Sequence, residues 1–210
     1  MKNPRLNKFS FVRPVLLPLL LASALSACAP VMIGSAVMGS LVATDRRTSG
    51  AQLEDEGIEL RGASRLRENM GDRAHIVVTS YNRQVLLTGE APTAADKQLA
   101  ESIVFKVENV RAIVNEVAVA GNTTLSQRSA DTLVTGRVRA GLVDAKDLFA
   151  NAFKVTTERG TTYLMGRVTQ READRATEIA RTVPGVQKVV RVLEVITEQE
   201  LQALLPKKTP

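Results

Sequence analysis

An α+β fold made of two copies of one small unit is predicted by three observations on this 210-residue chain. A β-rich pattern recurs at a constant offset of 77: Val78-Thr79-Ser80 and Leu86-Leu87-Thr88-Gly89 against Val155-Thr156-Thr157 and Tyr163-Leu164-Met165-Gly166. An amphipathic pattern precedes each copy, with Asp55, Ile58, Arg61 and Leu66 matching Asp131, Val134, Arg137 and Leu142 at an offset of 76. A second helical stretch, a turn and a valine-rich run follow each copy. The order helix, strand, strand, helix, strand gives two tandem αββαβ sandwiches, each a three-stranded sheet covered on one face by two helices.

The elements follow from local chemistry. Ile58, Leu66 and Met70, with Gly62 between, recur every fourth residue or its multiples, and so do Val134, Val138 and Leu142. Each set lines one face of a helix. Thr124 with Gln127 three residues on has the form of a capping box opening the second copy. The acidic run Glu54-Asp55-Glu56 reads as charge favouring the N-terminal pole of the first helix, with calcium binding as the alternative. Asn82-Arg83 and Glu158-Arg159-Gly160 mark hairpin turns. Residues 93–107 and 169–183 read as helices, stopped at Glu108-Asn109 and Pro184-Gly185. Residues 110–119 and 186–195 read as closing strands. Gly89 and Gly166 each end a hairpin strand and are expected to permit a tight backbone path. Residues 53–121 form the first domain and 122–197 the second. Residues 198–210 form a tail whose Leu201, Leu204 and Leu205 share one side of a short helix, followed by Lys207-Lys208. That helix packs on the second domain or makes a weaker membrane contact.

The N-terminus reads as a targeting segment. Lys2, Arg5, Lys8 and Arg13 precede an apolar run from Val15 to Leu25, too short to span a bilayer comfortably. It ends in Leu25-Ser26-Ala27-Cys28, which resembles a lipobox. Cleavage after Ala27 would leave Cys28 to carry diacylglycerol and an N-acyl chain of palmitate type. A plain signal peptide with an incidental cysteine, or a buried apolar helix, is the alternative. Cys28 is the one cysteine in the chain, so no internal disulfide competes for it. Two or more acyl chains hold a protein on a membrane firmly. Residues 28–52 show no strong period and read as a lipidated tether.

The net charge of +6 includes four positive charges in residues 1–27, which contain no acid, so the remainder carries +2. Near balance and 3% aromatic content argue against nucleic-acid binding. His75 is the single histidine, with no Gly-x-Ser-x-Gly elbow beside it, and reads as a partly exposed strand residue. A Cys/His metal cluster cannot be assembled from one histidine and an acylated cysteine, and no metal is expected.

Four residues of the second copy's first helix are singled out. Leu133 lies off the buried stripe, Arg137 follows one turn later on the same side, and Arg128 and Arg139 add charge. Leucine among acyl chains and guanidinium against phosphate suit a lipid interface, each basic residue contributing about 1 kcal/mol near an anionic surface. Packing of Leu133 against the other domain is the equal alternative.

Taken in order, Ala43-Thr44-Asp45, Val77-Val78-Thr79-Ser80-Tyr81, Val85-Leu86-Leu87-Thr88-Gly89, Lys154-Val155-Thr156-Thr157-Glu158 and Leu164-Met165-Gly166-Arg167-Val168-Thr169-Gln170-Arg171-Glu172-Ala173 resemble outer-membrane lipoproteins with two tandem BON domains behind a lipobox. The resemblance implies a periplasm-facing, non-enzymatic protein without cofactors beyond its covalent lipid. It also implies binding of phospholipid, expected to be anionic, support of outer-membrane integrity and a link to the division site. Ala29 after the cysteine, rather than aspartate, favours outer-membrane delivery. The rival expectation is an envelope scaffold whose domains bind envelope or division proteins, with membrane contact through the acyl anchor alone. Oligomeric state is not legible.

Overall fold

The computed structural model describes residues 45–204. The lipobox, Cys28, the tether through residue 44, Leu205 and Lys207-Lys208 lie outside the described residues.

The first unit contains α1 (Ser49–Met70), β1 (His75–Tyr81), β2 (Gln84–Ala91), α2 (Ala94–Phe105), β3 (Ala112–Asn115) and β4 (Ala118–Val119). The second contains α3 (Leu125–Asp144), β5 (Phe153–Glu158), β6 (Thr161–Thr169), α4 (Gln170–Thr182) and β7 (Lys188–Ile196), followed by a terminal helix α5 (Glu198–Leu204). In each sheet the second hairpin strand is central. β2 pairs antiparallel with β1 and parallel with β3 and β4. β6 pairs antiparallel with β5 and parallel with β7. The closing strand is continuous in the second unit and broken in the first, where β3 and β4 flank Glu116 and the buried Val117.

Helix starts follow the expected chemistry, except that Thr124 caps its helix one way only, without the reciprocal Gln127 bond of a capping box. Thr93, Thr124 and Thr169 accept hydrogen bonds from the backbone N–H three residues on, and Thr169 with Glu172 completes a reciprocal capping box. The first helix starts earlier than the tether's expected end at residue 52. Thr48 caps it by accepting from the Ala51 N–H, and residues 45–48 are built into the fold. Ser49-Gly50-Ala51-Gln52 carries no apolar period, so a helix stabilised by its cap and by ion pairs reads as loop. The acidic run therefore stands beyond the first turn, which contains no acid.

Asp55 does different work from a helix-pole charge. It is fully buried and accepts from the Asn82 and Arg83 N–H groups (2.7 and 2.8 Å) and from Ser80 Oγ (2.7 Å). Asp131 repeats this in the second unit, accepting from the Arg159 and Gly160 N–H groups at 2.9 and 3.0 Å. Both turns carry positive φ at their two central residues, 50° and 65° at Asn82-Arg83 and 51° and 71° at Arg159-Gly160. Each buried carboxylate thus holds a type I′ turn against its own helix.

Each unit has a core between sheet and helices: Ile58, Leu66, Val85, Leu87 and Val104 in the first, Val138, Leu142, Leu164, Val168 and Ala176 in the second. The opposite face of each sheet is buried too. Tyr81, Leu86 and Val114 form one cluster with Tyr163, Met165, Val190 and Val192, so the two sheets stack face to face with helices on the outside. Continuous apolar runs in β2 and β6, rather than alternation, are what a strand buried on both faces requires. Polar ties reinforce the junction: Lys154 Nζ meets Glu59 Oε1 at 2.5 Å and Asn82 Nδ2 donates to Glu194 at 3.0 Å. α5 packs on the second unit, with Leu201 buried and Leu204 exposed.

Candidate functional site

The outward side of α3 carries a row of uncovered apolar residues. Leu133 is 63% exposed, and Leu125 and Val143, more than two turns away on either side and both about 80° to one side of it around the axis, are comparably uncovered. Gly136 and Ala140 continue the row, and Arg137 is exposed beside it. At about 100° per residue, Arg137 stands about 40° from Leu133 around the helix. Leu133 does not pack on the other domain.

Arg128 and Arg139 lie beyond Leu125 and Val143 on the side away from Leu133, and Arg139 lines a depression with Val143. They are displaced from Leu133 by about 140° and 120° around the axis, toward the groove between the units. Arg128 is half-buried and its Nε donates to Thr123 Oγ1 at 3.3 Å. Arg139 Nη2 donates to the Val155 carbonyl at 2.9 Å. Both line a groove with Glu59, His75, Thr79, Lys154 and Glu158. The four residues therefore do not form one cluster: Arg137 adjoins Leu133, while Arg128 and Arg139 line the groove, with Arg139 about 40° from Val143 around the axis.

At one end of the groove His75, Glu90 and Glu158 converge, each offering an atom within 4.8 Å of the others. His75 and Glu90 face each other across the β1/β2 ladder, and Glu158 comes from β5 of the second unit. Glu90 is fully buried; its Oε2 accepts from the Thr123 N–H and hydroxyl at 3.4 and 3.2 Å. Burial pushes the Glu158 carboxyl up to about 7, aided by the charges of Asp131 and Glu90. Burial, then the nearby Arg128 charge, lowers the His75 pKa against the pull of Glu90. A search for Cys/His clusters misses this group because two of its members are carboxylates. Hairpin symmetry about Asn82-Arg83 does place His75 opposite Glu90; the approach of Glu158 across the domain junction has no local sequence signal.

A third constellation anchors the N-terminal lead-in. Arg46 forms a two-pronged bridge to Glu172, both distances 2.7 Å, and also donates to the Arg167 carbonyl at 2.9 Å. Arg47 pairs with Asp55 at 2.8 Å and lies over the Tyr81 ring at 4.3 Å. Residues 45–47 therefore strap the first unit to the second, although they fall within the stretch 28–52 that reads as a lipidated tether.

The BON domain model matches residues 55–121 and 130–197, the two units just described. The chain belongs to the BON-domain family. It is 33% identical over 172 residues to the outer membrane lipoprotein DolP of Haemophilus influenzae, covering 81% of this chain and 89% of that protein. It is 34% identical over 154 residues to a 21 kDa hemolysin of Actinobacillus pleuropneumoniae, covering 72% and 79%. A C-terminal structure of CdsD, a type III secretion structural protein of Chlamydia trachomatis, aligns over 66% of this chain and 96% of its own at 12% identity and a TM-score of 0.29.

Neither Gly89 nor Gly166 ends its strand, since β2 runs on to Ala91 and β6 to Thr169, but in both BON domains this glycine is a contact residue. A Cβ on Gly89, whose φ is +100°, would lie 2.0 Å from the His75 carbonyl oxygen; one on Gly166 would lie 2.4 Å from that of Ala152. Both admit backbone at a distance no side chain tolerates. No described helix is long and apolar enough to cross a membrane.

Proposed function

We propose that this chain is an outer-membrane lipoprotein, anchored through acylated Cys28 and facing the periplasm, whose second BON domain binds anionic phospholipid through the outward face of α3 and thereby supports outer-membrane integrity at sites that include the division site. The proposal is for a binding protein, with no catalytic step. The observation that carries it is the exposed apolar strip of Leu125, Leu133 and Val143, with Arg137 beside Leu133 at one margin. A folded domain leaves such a row uncovered at a cost, and a lipid interface removes the cost: a fully buried leucine contributes about 1.5 to 3 kcal/mol and a basic residue about 1 kcal/mol at an anionic surface. The similarity to the outer membrane lipoprotein DolP, extending over most of both chains, supports the location. The anchor supplies residence and the helix supplies orientation.

The test is flotation with phosphatidylglycerol or cardiolipin vesicles of the chain from residue 30 onward, which lacks Cys28. Binding is expected in the wild type and a loss of at least about tenfold in Leu133→Glu/Arg137→Glu. Equal flotation of the two would show the surface to be wrong. No flotation of either, with a protein recovered by crosslinking, would favour a scaffold that meets the membrane through its acyl chains alone.

A further inference from the structure

We infer that His75, Glu90 and Glu158 form a binding site for a first-row divalent cation of the zinc class, joining the two BON domains. The geometry is specific to the fold. The β1/β2 register sets His75 directly opposite Glu90, and the face-to-face stacking of the sheets brings Glu158 of β5 to the same point. One atom from each lies within 4.8 Å of the other two. Zinc–ligand bonds of about 2.0 to 2.2 Å put such atoms roughly 3 to 3.5 Å apart, so side-chain adjustments of about an ångström complete the arrangement.

A second observation points to a ligand. Glu90 has no exposure, yet its Oε1 is buried without a hydrogen-bond partner, and so is His75 Nδ1. His75 Nδ1 stands 3.4 Å from Glu90 Oε2, which the Thr123 groups already engage, without making a hydrogen bond to it, and polar atoms left unsatisfied at such depth are costly. The nearest cation is Arg159, whose Nη1 stands 3.7 Å from Glu90 Oε1 and whose side chain is 41% exposed, free to turn to solvent. Arg128, held on Thr123, also faces the cluster, and Asp131 keeps its carboxylate on the β5–β6 turn.

Supporting groups are in place as well. The Thr123 N–H and hydroxyl orient Glu90, as outer partners orient ligating carboxylates. Gly89 lets β2 lie against the His75 carbonyl, fixing the imidazole's origin. One imidazole and two carboxylates suit zinc and its neighbours better than calcium or magnesium, which favour all-oxygen shells. With ligands from both domains, a bound ion would lock the junction.

The experiment uses the tag-free, detergent-solubilised full chain after chelator treatment, titrated with Zn²⁺ alone by equilibrium dialysis. The resonances of its single histidine are followed by NMR. Expected are about one Zn²⁺ per chain with a Kd near or below 10 µM, displacement of the His75 resonances, and at least tenfold weaker binding in Glu158→Gln and His75→Gln, with no competition from millimolar Ca²⁺. Glu158 is only half-buried, so its variant remains informative where Glu90→Gln does not fold. Unmoved His75 resonances, or binding unchanged in Glu158→Gln, would overturn the site.

Discussion

Replacing Glu172 with alanine should be among the most damaging single changes outside the hydrophobic cores. The Glu172 side chain is 1% exposed and that of its partner Arg46 is 3% exposed. The carboxylate accepts both Arg46 nitrogens and the Thr169 N–H at 2.9 Å. Glu172→Ala leaves a buried guanidinium with only the Arg167 carbonyl, and breaking a buried pair in this way costs about 3 to 5 kcal/mol. The capping box goes with it, at about 1 kcal/mol. At about 2 to 4 °C per kcal/mol for a chain of this size, Tm should fall by about 8 to 24 °C. Arg46→Met/Glu172→Leu should recover most of that loss, because an apolar pair leaves no uncompensated charge. Circular-dichroism melts of the three proteins decide the matter. A loss under about 1 kcal/mol in Glu172→Ala would refute the claim that residues 45–47 strap the domains together. The pH dependence has a fixed sign. Burial alone would raise the Glu172 pKa, but hydrogen bonds from Arg46 and Thr169 outweigh it and hold the group below 4.5. The bridge therefore stabilises fully above about pH 4.5 and weakens as pH falls through the lower folded value. The wild type and Glu172→Ala should converge in acid.

Gly89→Ala should destabilise by about 3 kcal/mol or more, since both its φ and the His75 carbonyl forbid a Cβ, whereas Gly121→Ala, with open space around it, should melt within about 0.5 kcal/mol of wild type. Asp55→Ala should cost more than Asp131→Ala, about 3 against about 2 kcal/mol by urea unfolding, because Asp55 also receives Ser80 Oγ and Arg47. Glu158, raised to about 7, holds a proton in the folded state that the unfolded chain loses near 4.5. Its contribution is present below about pH 4.5 and lost as pH rises through 7. In chelator-containing buffer Glu158→Gln should gain stability relative to wild type between pH 5 and 8, by about 1 kcal/mol for so solvent-accessible a group.

Much of the fold was legible because two periodicities recur in register. Ile58-Gly62-Leu66-Met70 and Val134-Val138-Leu142 mark helix faces, and threonines at the helix starts mark caps. The stacking of the sheets was less visible: Tyr81, Leu86, Tyr163 and Met165 satisfy a strand pattern whether their face meets water or another sheet. The lead-in at residues 45–48 was missed because its order comes from ion pairs with Glu172 and Asp55, one of them 126 residues distant. At the proposed lipid surface, Leu133 and Arg137 were readable from the helical wheel, while Leu125 and Val143 required knowledge of which side the sheet covers. Arg128 and Arg139 were grouped with them by charge alone, and hydrogen bonds to Thr123 Oγ1 and the Val155 carbonyl turn them toward the groove.

The most direct test of the lipid-facing helix is paramagnetic relaxation by a spin-labelled lipid in phosphatidylglycerol bicelles, read at backbone amides of the chain from residue 30 onward. Strong broadening at Leu125, Leu133, Arg137, Ala140 and Val143, with weak effects at Thr79, Thr156 and Glu158 in the groove, is the predicted pattern. Broadening centred on the groove, or none along α3, would contradict it.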